Sequence, residues 1–127
     1  KIIDKGDFVI SLRSFQGGIE HSSLQGLCSP AYTVLKNVKP IIDGFYRFYL
    51  KKDSFIEELS QTVVGIRDGK QISYKAFSIL ELPYPSLPEQ KKISDFLFSL
   101  DDKIAVKKAE IDKLKTWKQG LLQQMFV

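Results

Sequence analysis

The sequence has one cysteine, Cys28, and one histidine, His21, among 127 residues. A single cysteine excludes an internal disulfide, which suits a reducing cytosol. A cysteine nucleophile needs a histidine base beside it in the fold; the plainer expectation is a small buried thiol and a surface histidine. One His and one Cys cannot supply the three or four protein ligands of a zinc site, and no Cys-x-x-Cys occurs. No apolar run approaches the roughly 18–20 residues that a bilayer-spanning helix needs. The first residues alternate charged and apolar side chains, unlike a signal peptide. A cytoplasmic protein without membrane contact is expected. No phosphate-cradling Gly-x-x-x-x-Gly-Lys-Ser/Thr is present, because Gly65 to Lys70 lacks the Gly-Lys end. Asp101-Asp102 does not read as a metal pair, since adjacent helical residues diverge by about 100°. The sequence calls for no cofactor, no metal and no catalytic residue.

Charge of one sign is also scarce. The formal net charge is +4, and the excess of two cations is the same in both halves: 11 Lys/Arg against 9 Asp/Glu in residues 1–85, and 8 against 6 in residues 86–127. This permits nucleic-acid binding, but no basic patch is visible in the sequence. With 43% hydrophobic and 27% charged residues, the composition is that of an ordinary globular chain of one-core size. The first residue is Lys1 and not Met, so a natural start further upstream is expected.

Two halves follow different rules. Residues 1–85 mix β and α signals, which predicts an α+β fold with a small mixed sheet. Phe8 to Leu12 and Ala31 to Leu35 are strand candidates, separated by the punctuating pair Gly17-Gly18. Phe45, Phe48 and Tyr49 recur at helical spacing. Asp53-Ser54 is placed to cap a short second helix. Arg67 to Gln71 forms a polar loop around an Asp-Gly turn pair. Ile79 to Pro83 is a last strand candidate, stopped by Pro83 and Pro85.

From residue 86 the grammar is helical. Ser86 can cap, Glu89 can reach back, and Pro88 sits in the first turn, where its missing N–H costs nothing. No Gly or Pro follows until Gly120. Ile93, Leu97, Leu100, Ile104, Ile111, Leu114, Leu121 and Met125 fall on alternating steps of four and three, with Lys107 and Lys118 filling two places in the series. That is a heptad seam, which predicts a long helix forming a coiled coil with a partner helix. The two lysines either fix register at some cost or lay their stems along the partner while the ammonium groups reach water.

The segment Leu82-Pro83-Tyr84-Pro85-Ser86-Leu87-Pro88-Glu89-Gln90-Lys91-Lys92-Ile93 resembles the boundary segment of type I restriction-modification specificity subunits, where a Pro-rich exit runs into the start of a spacer helix. Phe96 to Ile104 and Lys113 to Phe126 are similar to the rest of that helix. Lys5 to Ser11, Gly17-Gly18-Ile19, Ser29 to Tyr32 and Val64 to Ser73 resemble one subtype of the family's target-recognition domain. The resemblance implies a partial target-recognition domain over residues 1–85 and a spacer or dimerisation helix over 86–127. It implies a non-catalytic module that reads double-stranded DNA and positions methyltransferase (M) and restriction (R) subunits on a bipartite site, in a system of DNA methylation. Its helix would pair with a second one, from the rest of the subunit or from a homodimer mate. The family's subunits carry two recognition domains, so this sequence reads as a fragment or as a short self-pairing subunit.

A DNA reader needs phosphate contacts to set register and base-edge contacts to read sequence. Arg matches guanine and Gln matches adenine bidentately. Two loops carry such groups. In the first, Arg13 and Gln16 are candidate base readers, Ser14 is a further polar contact, and Gly17 and Gly18 let the backbone approach phosphate. In the second, Arg67, Lys70 and Gln71 are candidate DNA contacts. His21, Ser22 and Lys75 are lesser candidates on the same loop argument. The rival class is a coiled-coil assembly or adaptor protein that binds no specific DNA sequence.

Overall fold

The computed structural model describes residues 1–10, 19–62 and 74–126. It is α+β. Among the described residues five short strands, β1 (Ile2–Ile3), β2 (Phe8–Ile10), β3 (Glu20–His21), β4 (Gly26–Leu27) and β5 (Thr33–Leu35), precede four helices. These are α1 (Asp43–Tyr49), α2 (Asp53–Gln61), α3 (Tyr74–Ser78) and α4 (Leu87–Met125). The chain divides into two compact units, Lys1–Ser94 and Asp95–Val127.

In the first unit, β1 and β4 form a two-stranded antiparallel ribbon with Ile2 opposite Leu27. The second sheet has the order β3–β2–β5, all antiparallel, with Phe8 opposite both His21 and Leu35. A tight turn joins β1 to β2. Gly6 takes a φ of +95°, the one positive φ among the described residues, and the Asp7 N–H closes the turn onto the Asp4 carbonyl at 3.1 Å. An L side chain would be strained there. The buried Asp7 carboxylate accepts from the Asp4 N–H at 2.9 Å and from Lys36 Nζ at 2.8 Å. The same ammonium reaches Asp4 at 2.6 Å.

The core follows from period-two burial on β2 and helical burial on α1 and α2. Phe8 and Ile10 point inward while Val9 between them is half-buried. They meet Ile19, Phe45, Tyr46, Leu50, Phe55 and Leu59, all buried. Phe45 packs edge-on to Tyr46 at 5.0 Å between centroids, and Tyr49 packs on Phe55 at 5.6 Å. Aromatic pairs of this kind favour such tilted geometries. The buried residues of α1 are Phe45 and Tyr46, followed by buried Leu50 at its C-cap; Phe48 and Tyr49 are half-buried, with Tyr49 packed against the core.

Three local expectations are corrected. Asp53 is the first residue of α2 and not its cap: Lys52 holds the cap position without a side-chain bond, and the Asp53 carboxylate instead complements the positive end of the helix. Cys28 is half-buried, not buried. Ile79 to Pro83 forms no strand: Tyr74–Ser78 is helical and the residues from Ile79 to Ser86 carry no ladder. Pro83 and Pro85 have no N–H to give a sheet, and their carbonyls are taken by side chains, Pro83 by the Tyr46 hydroxyl at 2.8 Å and Pro85 by Gln90 Nε2 at 2.8 Å.

Helix α4 runs for 39 residues without a break, about 58 Å at ~1.5 Å per residue. Ser86 Oγ accepts from the Glu89 N–H at 3.4 Å, and the first helical bond runs from the Gln90 N–H to the Ser86 carbonyl at 2.9 Å. In its first turns, within the first unit, Gln90 and Ser94 are buried. In the second unit nearly every described residue is exposed. Leu100, Ile104, Ile111, Leu114 and Met125 are 39% to 74% exposed, and Trp117 is 66% exposed. Lys107 pairs with Glu110 at 3.3 Å. No helix among the described residues is long and apolar enough to cross a membrane.

Candidate nucleic-acid interface

The residues named from sequence as DNA contacts, Arg13, Ser14, Gln16, Gly17, Gly18, Arg67, Lys70 and Gln71, lie outside the described residues. What is described is how their flanks are held. The first group of candidates falls in sequence between β2 and its antiparallel neighbour β3. Ile10 on one side and Ile19 on the other are buried. The Ile19 N–H bonds the Leu50 carbonyl at 3.3 Å, and Glu20 pairs with Lys51 at 3.1 Å. The second loop follows α2, whose end is closed by Thr62: its N–H and its hydroxyl both reach the Leu59 carbonyl, at 3.2 Å and 2.7 Å. Ile10, Ile19 and Thr62, the described residues next to the two candidate stretches, are thus held by burial or by hydrogen bonds.

The lesser candidates are placed. The His21 side chain is only 11% exposed, contrary to the surface histidine expected from sequence. Its Nε2 lies 2.8 Å from Asp43 Oδ2, and its ring meets Phe8 edge-on at 5.2 Å. It is a packing residue that joins β3 to the first residue of α1. The Ser22 hydroxyl donates to the Leu24 carbonyl at 2.6 Å. Lys75 is exposed on α3. Sequence reading missed the cluster around Lys36. This ammonium, together with Gln25, holds the Asp4 carboxyl below the usual carboxylate range, and the two carboxylates raise Lys36 in turn. Beside it opens a groove of about 350 Å³, floored by Phe8, Leu35, Ile41 and Tyr46, with Lys36, Lys39 and Tyr84 also in its wall. The Lys39 ammonium sits 5.3 Å from the centre of the Tyr84 ring. Burial pushes the Tyr46 phenol up, with a further contribution from Tyr84, and its hydroxyl donates to the Pro83 carbonyl. Among the described residues no group of three His, Cys, Asp or Glu could hold a metal ion.

The described residues thus form a small α+β unit and a long uninterrupted helix with an exposed apolar seam. The chain belongs to the family of type I restriction modification DNA specificity domains, whose family model matches residues 1–116. Two relatives come from Methanocaldococcus jannaschii. The chain is 27% identical over 122 residues to a protein named for the specificity subunit of type I restriction enzyme MjaX, covering 96% of this chain and 28% of that protein. It is 29% identical over 131 aligned positions to the type I restriction enzyme MjaVIII specificity subunit, covering 95% of this chain and 30% of the relative. The chain therefore spans under a third of the length of either relative.

Proposed function

We propose that this chain reads one part of a split DNA target within a type I restriction-modification specificity subunit, without a catalytic site of its own. Residues 1–85 act as part of a target-recognition domain, and residues 86–127 act as the spacer helix. Arg13 and Gln16 contact base edges, Arg67 and Lys70 contact phosphate or bases, and the exposed α4 seam pairs with a second helix and docks the methyltransferase subunit. The observation that carries this reading is the family match, which runs from residue 1 to 116 through both the small sheet unit and most of α4. The anchoring of Ile10 and Ile19 beside the first stretch and of Thr62 before the second supports it, since positioned segments are the usual carriers of recognition.

The exposed seam alone would also suit an assembly adaptor without sequence-specific DNA binding. One experiment separates the two. The specificity subunit, with its methyltransferase, is used to select from a random duplex library at two salt concentrations. A reader enriches a short motif and loses affinity steeply with salt, because binding releases phosphate counterions. Arg13→Ala relaxes one base position at a cost of about 1–3 kcal/mol, whereas a phosphate contact such as Lys70→Ala lowers the salt slope by about one. Failure to enrich any motif, with weak salt dependence, would establish the adaptor instead.

A further inference from the structure

We propose that the groove beside Lys36 is a docking site for a segment of a partner protein that carries a large apolar side chain close to a carboxylate. All of its wall lies within the first unit, and the proposed reading of DNA makes no use of it. Two stretches of chain form its sides: residues 36–41, between β5 and α1, and Leu82 to Tyr84. They are tied to each other and to the core. Tyr84 Oη donates to the Pro40 carbonyl at 2.7 Å, and Tyr46 Oη to the Pro83 carbonyl at 2.8 Å. The Asn37 amide donates to the Lys39 carbonyl at 3.1 Å, and the Ile42 N–H donates to Oε1 of the buried Gln90 at 2.9 Å. The groove is therefore held open by its own bonds, so binding loses little ordering entropy on this side.

The wall defines the chemistry of the occupant. A volume of about 350 Å³ lies at the small end of ligand sites, which span roughly 300–1,000 Å³, and gives room for a large side chain. Phe8, Leu35, Ile41, Leu50 and Phe77 make it apolar. Its polar side chains are already engaged: both phenols on carbonyls, and Lys36 on Asp4 and Asp7 at 2.6 Å and 2.8 Å. Among the described residues no buried side-chain nitrogen or oxygen lacks a partner. A polar metabolite would find no free side-chain donor or acceptor inside to orient it. The exception stands at the rim. The exposed Lys39 ammonium lies 5.3 Å from the centre of the Tyr84 ring and has no carboxylate partner among the described residues. The two charged residues of the wall, Lys36 and Lys39, are both cations, so an anion is favoured there. Apolar surface also continues outside the groove: Val38, next to Lys39, is 99% exposed, and Leu82 and Tyr84 are exposed as well. A small carboxylic acid in the groove would leave that surface wet, whereas a peptide segment covers it. A DNA duplex keeps its bases stacked, and its phosphates call for cations and N–H donors, not for an apolar floor.

The test is a selection of short random displayed peptides on the full specificity subunit. The library is first cleared on the same subunit carrying Val38→Asp and Lys39→Glu together, which removes peptides held elsewhere, such as on the α4 seam. Surviving peptides are expected to share a Leu, Met or aromatic residue close to an Asp or Glu. One of them, labelled with fluorescein, is then titrated by anisotropy. Lys39→Glu sets like charges together and Val38→Asp sets a carboxylate into apolar contact, so each should weaken binding about tenfold. Both positions are exposed, and an unchanged urea midpoint checks the fold. Should either variant unfold, the peptide with its acids changed to amides decides on the wild-type subunit, with a loss of about fivefold expected. No survivors, survivors without an acid, or binding that ignores these changes overturns the proposal. So do two other results. Displacement of the peptide by an equal concentration of phenylacetate would make the groove a site for small carboxylic acids. Displacement by a random duplex, with Lys39→Glu weakening duplex and peptide alike, would make it part of the nucleic-acid face. The selection uses no DNA, so its outcome stands apart from whether the subunit reads a split target.

Discussion

The two units treat apolar surface in opposite ways. From Lys1 to Ser94 the large side chains close on one another: Phe55, Ile19 and Leu59 are 0–1% exposed, and a buried polar group such as Asp7 has its partners. From Asp95 onward Leu100, Ile104, Ile111 and Leu114 stand in solvent along one seam. Fully burying such a side chain contributes about 1.5–3 kcal/mol, so the first unit has already gained what the second has yet to gain. The first region closes its apolar side chains within the chain, and the second leaves its seam exposed.

Three substitutions or conditions sharpen that contrast. The largest effect belongs to the closed core. Phe55→Ala should destabilise the first unit by about 3–5 kcal/mol, a large share of the ~5–15 kcal/mol typical of a domain. Urea titration followed by near-ultraviolet circular dichroism checks it; an unchanged midpoint would deny that this region is self-sufficient. Next come Leu100→Asp and Ile111→Asp. Each places a charge in an apolar contact, so self-association or pairing with a second helix should weaken by about 100-fold, the scale of ~3 kcal/mol. Sedimentation measures this, and the urea midpoint of the first unit should not move. Association that ignores both substitutions would show that the seam is not the contact.

The smallest effect is electrostatic. The Asp4 carboxyl titrates below its ordinary value of 3.8, and Lys36 above its ordinary value of 10.5. A lowered carboxyl contributes stability above its unfolded value and loses it as pH falls through the folded one. A raised ammonium contributes below its unfolded value and loses it as pH rises through the folded one. The Asp4–Lys36 contribution is thus complete between about pH 4 and pH 10 and fades outside that window. Both groups are exposed, so the change is small. Urea midpoints at pH 7 and pH 3 should differ slightly less in Asp4→Asn, which leaves the Lys36–Asp7 pair in place, than in wild type; equal differences would remove the Asp4–Lys36 pair from the account.

Much of this arrangement was legible in the residues. Ser86, Pro88 and Glu89 marked the start of α4, and the absence of Gly and Pro to Gly120 marked its continuity, because helix signals are local. The β-favouring runs Phe8 to Leu12 and Ala31 to Leu35 contain β2 and β5. The pairs β1, β3 and β4 were not found, since two residues carry no period and their pairing is decided by partners far along the chain. Ile79 to Pro83 was misread because its apolar run ignores what happens to the carbonyls of Pro83 and Pro85. Gln90 was quoted within a helix-start motif, but nothing in a one-dimensional pattern marks a polar residue as buried; only the carbonyl and N–H it meets do so. His21 was taken for a surface residue for the same reason, its neighbours Phe8 and Asp43 being distant in sequence. Of the DNA-reading candidates, both loops lie outside the described residues, and only their anchoring at Ile10, Ile19 and Thr62 is placed.

The exposed position of Trp117 has a practical consequence. It is the one tryptophan of the chain, and all five tyrosines, at positions 32, 46, 49, 74 and 84, precede Ser94. The two units therefore carry separate intrinsic chromophores. Indole emission reports whether the helix is wet or covered, tyrosine absorption reports whether the first unit is folded, and a single unlabelled sample distinguishes a change at one from the other coming apart.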